Sequence, residues 1–358
     1  MGATYKNNIE LTIFGESHGK AIGITIGNLP SGIQIDLDEV ARDMKRRAPG
    51  QNKMSTARKE ADQVEILSGL QDGITTGAPL TGVIYNSDQH SKDYSLLKTN
   101  MRPGHSDYPA YIKYKGFNDV RGGGHFSGRI TAPIVFAGNI AKQILKQKGI
   151  VVGAHILSIG NVKDERFPYN VDETLLSSLS QKHYPTIKED VFEKMEATIL
   201  KARENLDSVG GKVECVALHV PAGIGEPFFD SLESHLSSLM FSIPAVKSVS
   251  FGDGEMIDQM LGSEANDCYY YDENGDVKTS SNHNGGITGG ITNGMPVSCT
   301  VTFKPTPSIA KKQKTINIET KENVELKIKG RHDPCIVQRA VVVVEAMMAL
   351  GILDMMGE

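Results

Sequence analysis

The sequence has no tryptophan, no CxxC pair and no uninterrupted run of the ~18 apolar residues a spanning helix needs. The last absence excludes a helical membrane span. The first residues, MGATYKNNIELTIFGESHG, lack the basic patch and apolar block of a secretory leader and the Arg- and Ser-rich character of a transit segment. Tyr5-Lys6 stands where a myristoylation motif places Ser or Thr. A cytoplasmic location is expected. Cys215, Cys268, Cys299 and Cys335 are too scattered for a metal knuckle, and free thiols are expected. No GxGxxG opens a helix and no HExxH is present, which disfavours a nicotinamide Rossmann site and a zinc hydrolase. Excess positive charge is missing too. A net charge of −5 argues against general nucleic-acid binding, and no clustered aromatic platform supports single-stranded RNA.

What is present is glycine, 37 residues in 358, in short clusters beside His, Arg and Ser. Such clusters suit unusual dihedrals or close approach to a ligand. Alternation predicts strands over 9–14 and 21–28, joined by the turn Gly15-Glu16-Ser17-His18-Gly19. Asp36 or Asp38 caps a helix to about Arg47. A strand near 80–85 leads into a long loop, 86–125. Helices are expected over 131–148, 188–207 and 229–241, with a short one near 254–261. Strands are expected over 150–158, 212–220, 246–251 and 296–304, with 160–185 irregular. Asp333 is read as an N-cap and Pro334 as the first residue of a final helix to about Leu353. Paired strands with long loops indicate α+β rather than a doubly wound sheet. With no linker or repeat, one domain over 1–358 is expected.

Six clusters can carry chemistry. Ser17-His18 sits in the first turn, and histidine titrates near neutrality. Arg46, Arg47, Lys53, Arg58 and Lys59 form a basic stretch suited to anion capture. Arg102-Pro103-Gly104-His105-Ser106-Asp107 places three ionisable groups on one turn. Arg121-Gly122-Gly123-Gly124-His125-Phe126-Ser127-Gly128-Arg129 precedes a helix, where glycine amides can wrap a phosphate. The run 282–290 pairs glycines twice, and reads either as a backbone for a planar ligand or as a bulged hairpin; Lys304-Pro305-Thr306-Pro307-Ser308 follows it. Arg331 and His332 flank Asp333, with Arg339 beyond. Together they suggest one or two highly anionic ligands held by many loops.

These segments resemble the chorismate synthase family: GESHG (15–19), RRAPGQ (46–51), DQVEILSG (62–69), RPGHSDY (102–108), RGGGHFSGR (121–129), VPAGIGEP (220–227), SNHNGGITGGI (281–291), KPTPSI (304–309) and KGRHDPC (329–335). The match is collinear over essentially the whole chain. It implies a β-α-β sandwich with helices packed between antiparallel sheets, assembled as a homotetramer. It implies 1,4-elimination of phosphate from 5-enolpyruvylshikimate-3-phosphate, giving chorismate, in the shikimate pathway. Reduced FMN is the implied cofactor, with no net redox change. NADPH enters indirectly, since no dinucleotide motif marks a built-in reductase and an external flavin reductase is expected. No nucleic acid or membrane partner is implied.

By position, the resemblance makes His18 the proton donor to departing phosphate, His105 the group that steadies the reduced flavin, and Asp333 a proton relay near it. Ser17 and Ser127 support them. Flavin contacts map to His125, Phe126, Ser127, Pro244, Ala245, Gly289, Lys304, Pro305, Thr306, Pro307, Ser308 and Arg331. Arg47, Lys53, Arg102, Arg129 and Arg339 are the further cations expected for substrate. Arg47 and Lys53 match positions the family assigns to NADPH, but anion capture at the substrate mouth is the preferred role. The chain departs from the common RGGGRSSARET at His125, Phe126 and Ile130, and has Pro244 where many members have asparagine. A non-catalytic flavin- or phosphometabolite-binding protein is the alternative.

Overall fold

The computed structural model describes residues 2–50, 62–86, 96–328 and 333–357. Strands β1 (Thr4–Lys6), β2 (Glu10–Gly15), β3 (Ala21–Gly27), β4 (Glu65–Ser68) and β7 (Leu80–Tyr85) form an antiparallel sheet in the order β1-β2-β3-β7-β4, with β5 (Leu70–Gln71) and β6 (Ile74–Thr75) as a small ribbon beside it. In β3, Ile22, Ile24 and Ile26 all point one way and are buried, the period-2 pattern of a strand with one face on the core. The second sheet contains β8 (Val151–Ile159), β9 (Val162–Lys163), β10 (Gly211–Leu218), β11 (Val246–Phe251) and β16 (Val297–Phe303), ordered β11-β16-β10-β8-β9 and again antiparallel. Two-stranded ribbons make up the rest: β12 (Tyr269–Tyr271) with β13 (Val277–Thr279), β14 (Ile287–Thr288) with β15 (Ile291–Thr292), and β17 (Gln313–Asn317) with β18 (Glu322–Leu326).

Helices fill the space between the sheets. α3 (Thr131–Gln147) lies on β3 and β7, α8 (Val337–Met356) lies on β8 and β10, and α3 and α8 pack on each other. α1 (Leu37–Arg47) and α6 (Leu232–Ser242) close the sides, and α4 (Glu173–Gln181) and α5 (Val191–Glu204) pack against β8. Short α2 (Asp107–Lys113) and α7 (Gly262–Ala265) stand in loops. The expected α+β sandwich is therefore observed. α8 is apolar almost all round, as a helix buried on every side must be. Each Val, Leu, Ile or Met it buries stabilises by about 1.5–3 kcal/mol. Close approach needs glycine: a Cβ on Gly138 of α3 would fall 2.1 Å from the Ala346 Cβ of α8.

α1 starts as expected, with the Asp36 carboxylate accepting from the amides of Asp38 and Glu39, and Lys45, Arg46 and Arg47 in its last turn. Two helices fall where loops were expected: α2 within 86–125 and α4 within 160–185. Both are short, and α4 is held by the tertiary contact of Leu176 with Gly153. The final helix is also a correction. Its N-cap is Ile336, and Asp333 and Pro334 lie upstream of it, because the Asp333 carboxylate is engaged by Arg339 rather than by helix amides. All four cysteines are free thiols, three of them buried. Among the described residues no helix is long and apolar enough to cross a membrane.

Candidate active site

The turn Gly122-Gly123-Gly124 is the centre of the site. All three glycines take left-handed or related dihedrals, with φ of +60, +98 and +54°. Their missing side chains are what lets two histidines approach. A Cβ on Gly122 would lie 2.1 Å from Cε1 of His18, and a Cβ on Gly123 would lie 3.3 Å from Nε2 of His105. One two-residue stretch of bare backbone thus faces both rings. The Gly124 carbonyl accepts from the Ser17 amide at 3.2 Å, which ties this turn to the β2–β3 turn. Ser17 and His18 are buried, and the Ser17 hydroxyl lies 3.1 Å from Nδ1 of His18.

His105 is oriented by Asp107, whose Oδ1 lies 2.7 Å from Nδ1. With Nδ1 engaged, Nε2 is the atom presented toward Gly123. Asp107 also takes Nε and Nη2 of Arg102, each at 2.7 Å. Burial raises the Asp107 pKa, but the hydrogen bonds from Arg102 and His105 outweigh it and hold the carboxyl well below its ordinary value. Burial pushes the His105 pKa down, and Arg102 and Lys304 act in the same direction, so the neutral ring is favoured. Lys304 donates to the Gly104 carbonyl, and Arg102 reaches the Ser308 hydroxyl at 3.3 Å, so the loop 304–308 closes over 102–105. The Lys304 amide donates to the carbonyl of Ala245, a non-glycine residue at φ +74°, which brings 244–245 to the same loop.

A second web carries the positive charge. Arg47 is 1 % exposed and its Nε donates to Asp62 at 2.9 Å. Asp62, buried and at φ +49°, also pairs with Arg129. Arg339 donates to the Arg47 carbonyl at 2.9 Å and to Asp333 at 2.6 Å, and the Asp333 carbonyl accepts from Thr306 at 2.7 Å. Three guanidiniums therefore share two carboxylates. Burial pushes the Arg47 pKa down to about 10, with Arg339 and Arg129 adding to the shift against the attraction of Asp62. The N-termini of α3 and α8 reach this web through Arg129 and Arg339, adding their partial positive charge.

The structure thus brings His18, His105, Ser17, Ala245, Lys304, Thr306, Ser308, Asp333, Arg47, Arg102, Arg129 and Arg339 into one connected network. Pro305 and Pro307 belong to the same loop, and Pro244 adjoins Ala245. Ser127 accepts from the Arg129 amide at 3.3 Å and opens the turn before α3. His125 is exposed, with Nδ1 2.8 Å from the Gly15 carbonyl, and the Phe126 ring is exposed beside Tyr114. Arg47 is not at a mouth: its guanidinium is buried and engaged by Asp62. Gly289 stands apart from the network, in the turn of the β14–β15 hairpin, with open space where its Cβ would be. At the end of the run 282–290 the structure has the β14–β15 hairpin, Ile287 paired with Thr292 and Thr288 with Ile291. Lys53, Arg58, Lys59, Arg331 and His332 lie outside the described residues. Two residues were not singled out from the sequence, Asn86 and the counter-ion Asp62; Asp107 was read as one of three ionisable groups on its turn, and the structure gives it the role of counter-ion to Arg102 and His105. Asp62 and Asp107 both sat inside quoted motifs; Asn86 carried no signal.

Chemically, the arrangement sets two histidines with different surroundings against one glycine turn, with the guanidiniums of Arg47, Arg102, Arg129 and Arg339 and the carboxylates of Asp62, Asp107 and Asp333 linked around it. It suits a ligand with several negative charges that must also gain or lose a proton. The family model for chorismate synthase matches residues 9–356. The chain is 47% identical to chorismate synthase of Thermococcus gammatolerans, over 97% of this chain and 95% of that protein. It is 45% identical to the enzyme of Korarchaeum cryptofilum, over 99% of this chain and 97% of that one. It is 44% identical to that of Methanocaldococcus jannaschii, over 99% and 96%. A crystal structure of chorismate synthase superposes with a TM-score of 0.76 at 27% identity, over 97% of this chain and 91% of that chain.

Proposed function

The chain belongs to the chorismate synthase family, lyases of aromatic biosynthesis, and from that premise we propose that it eliminates phosphate from 5-enolpyruvylshikimate-3-phosphate to give chorismate, with reduced FMN bound. The observation that carries this reading is the Gly122-Gly123 turn, whose bare backbone faces His18 and His105 together. The residues present fit a flavin. Phe126 offers an exposed ring, and the loop Lys304–Ser308, which closes over the His105 turn, supplies a cation and hydroxyls. Bound there, the reduced flavin would supply the electron density that lets phosphate depart in a 1,4-elimination whose lost hydrogen, on a different carbon, is not acidic.

The chain's own part is binding, orientation and proton placement. The substrate carries two carboxylates and a phosphate, and in a dry site unpaired charge costs several kcal/mol. Arg102, Arg129 and Arg339 answer that charge, and Arg47 fixes Asp62 behind them. His18, steadied by Ser17, delivers a proton to the departing phosphate. His105, held by Asp107 and kept neutral by burial, would steady the cofactor. Asp333, held by Arg339, would relay a proton to or from the cofactor. Arg331, Ser127, His125, Pro244 and Gly289 complete the proposed flavin contacts, and Lys53 the substrate contacts. Reduced flavin comes from a separate NADPH-dependent reductase in the cytoplasm. One domain spans the chain, since one apolar core runs through both sheets. Phe228 and Phe229, 87% and 94% exposed, support assembly into a homotetramer.

The test is anaerobic. Chorismate and inorganic phosphate are expected in equal amounts with dithionite-reduced FMN, and neither with oxidised FMN. Flavin binding without chorismate would instead favour a non-catalytic binding protein.

A further inference from the structure

Asn86 is the first residue past β7. Its backbone amide donates to the Lys20 carbonyl at 3.2 Å, one step beyond the last paired residues of β3 and β7, Ala21 and Tyr85. The sheet therefore fixes where its side chain starts. That side chain touches two parts of the site. Nδ2 donates to the carbonyl of Glu16 at 3.0 Å and to that of Gly19 at 2.9 Å. These are the two ends of the turn carrying Ser17 and His18, and the Gly19 amide closes the turn onto the same Glu16 carbonyl at 2.9 Å. On the other side of the amide, Oδ1 accepts from Nε of Arg129 at 3.1 Å.

We propose that Asn86 is a positioning residue for the elimination, holding the His18 turn in register with the Arg129–Asp62–Arg47 web; the proposal rests on the roles given above to His18 and Arg129. One planar amide, donor on one edge and acceptor on the other, matches what the two partners need. Aspartate in its place would face two carbonyl oxygens with a carboxylate. Glutamine would carry the amide one methylene too far. A proton donor and the anion-binding cation must be placed together for the leaving group to depart, and a misplacement of about 1 Å can cost about a hundredfold in rate.

Two variants separate the two edges. Asn86→Asp keeps an acceptor for Arg129 and removes the donors to the turn. Asn86→Leu removes both. With Asn86→Asp, kcat is expected to fall about 10- to 100-fold while KM for the substrate stays within about threefold. With Asn86→Leu, kcat is expected to fall similarly and KM to rise as well. The His18 imidazole signal in a 15N-labelled spectrum is expected to move in both variants, a readout independent of turnover. If Asn86→Asp keeps kcat within about twofold and the His18 signal does not move, the proposal is wrong. It is equally wrong if both variants lose only thermal stability and turn over normally at a temperature where they are folded. A wild-type protein that makes no chorismate would sink the functional reading instead, while the His18 signal would still judge Asn86.

Discussion

His105 shows how far single contacts set the chemistry. Burial, Arg102 and Lys304 depress its pKa, and Asp107 is the group that resists them. Asp107→Asn removes that resistance, so the variant's His105 should titrate below the wild type's, and both below the ordinary 6.5. Titration followed by the imidazole proton signals checks this, and a rise on removing Asp107 would contradict it. Freed from Asp107, the ring can also present Nδ1 instead of Nε2 to Gly123. The same substitution should therefore lower kcat more than it raises KM. At this scale the sequence was partly legible. His18 and His105 stood out because histidine in a glycine turn is a recognisable pattern. Asn86 did not, because an asparagine after a strand looks like any turn residue until its partners at 16, 19 and 129 are seen together.

Elements explain why the site can be built from such distant loops. β2–β3, the end of β7, and the starts of α2, α3 and α8 all open toward one region, and they are kept in register by helix contacts deep in the core. Gly138 is the tightest of these. An alanine there would put its Cβ 2.1 Å from that of Ala346, so α3 and α8 would have to separate. Overpacking of this kind costs about 1–3 kcal/mol. Gly138→Ala should lower the melting temperature by several degrees, and it should weaken turnover, since both helices begin at the arginine web. An unchanged melting temperature would show that the helices move apart freely. The long helices and central strands were legible from periodicity, because burial on one face or all faces leaves a pattern. α2 and α4 were not: short helices leave too little pattern, and α4 is held by packing onto β8. The start of α8 was misread because Asp-Pro resembles a capped helix, whereas here Asp333 is committed to Arg339.

Among the described residues, two of the places where charge is buried away from the site hold groups whose contributions to stability respond to pH with opposite signs. Between α1, α3 and α8, Arg46 and Lys142 hold Asp43 and Glu345; burial raises both carboxyl pKa values, but the cations outweigh it and hold them below the ordinary range. Carboxylates of this kind contribute stability that is present above about pH 4 and lost as pH falls through their folded values. On the second sheet, His155 is buried between Asp164 and Glu214, at 3.3 and 3.0 Å. Burial lowers its pKa, but the two carboxylates outweigh that and leave it raised above 6.5. A raised histidine contributes stability that is full below about pH 6.5 and lost as pH rises through its folded pKa. His155→Gln leaves both carboxylates without their shared cation, a loss of about 3–5 kcal/mol where His155 is charged. His105 is present in both proteins, so its opposite contribution cancels in the comparison. Denaturant midpoints of the two proteins should therefore differ most between about pH 5 and 6, above the carboxylate range and below the histidine's. The gap should narrow steadily toward pH 9 as His155 becomes neutral in the wild type. Equal gaps at pH 5 and pH 9 would mean that His155 is uncharged in the folded protein, with the proton carried by one of its acidic neighbours instead.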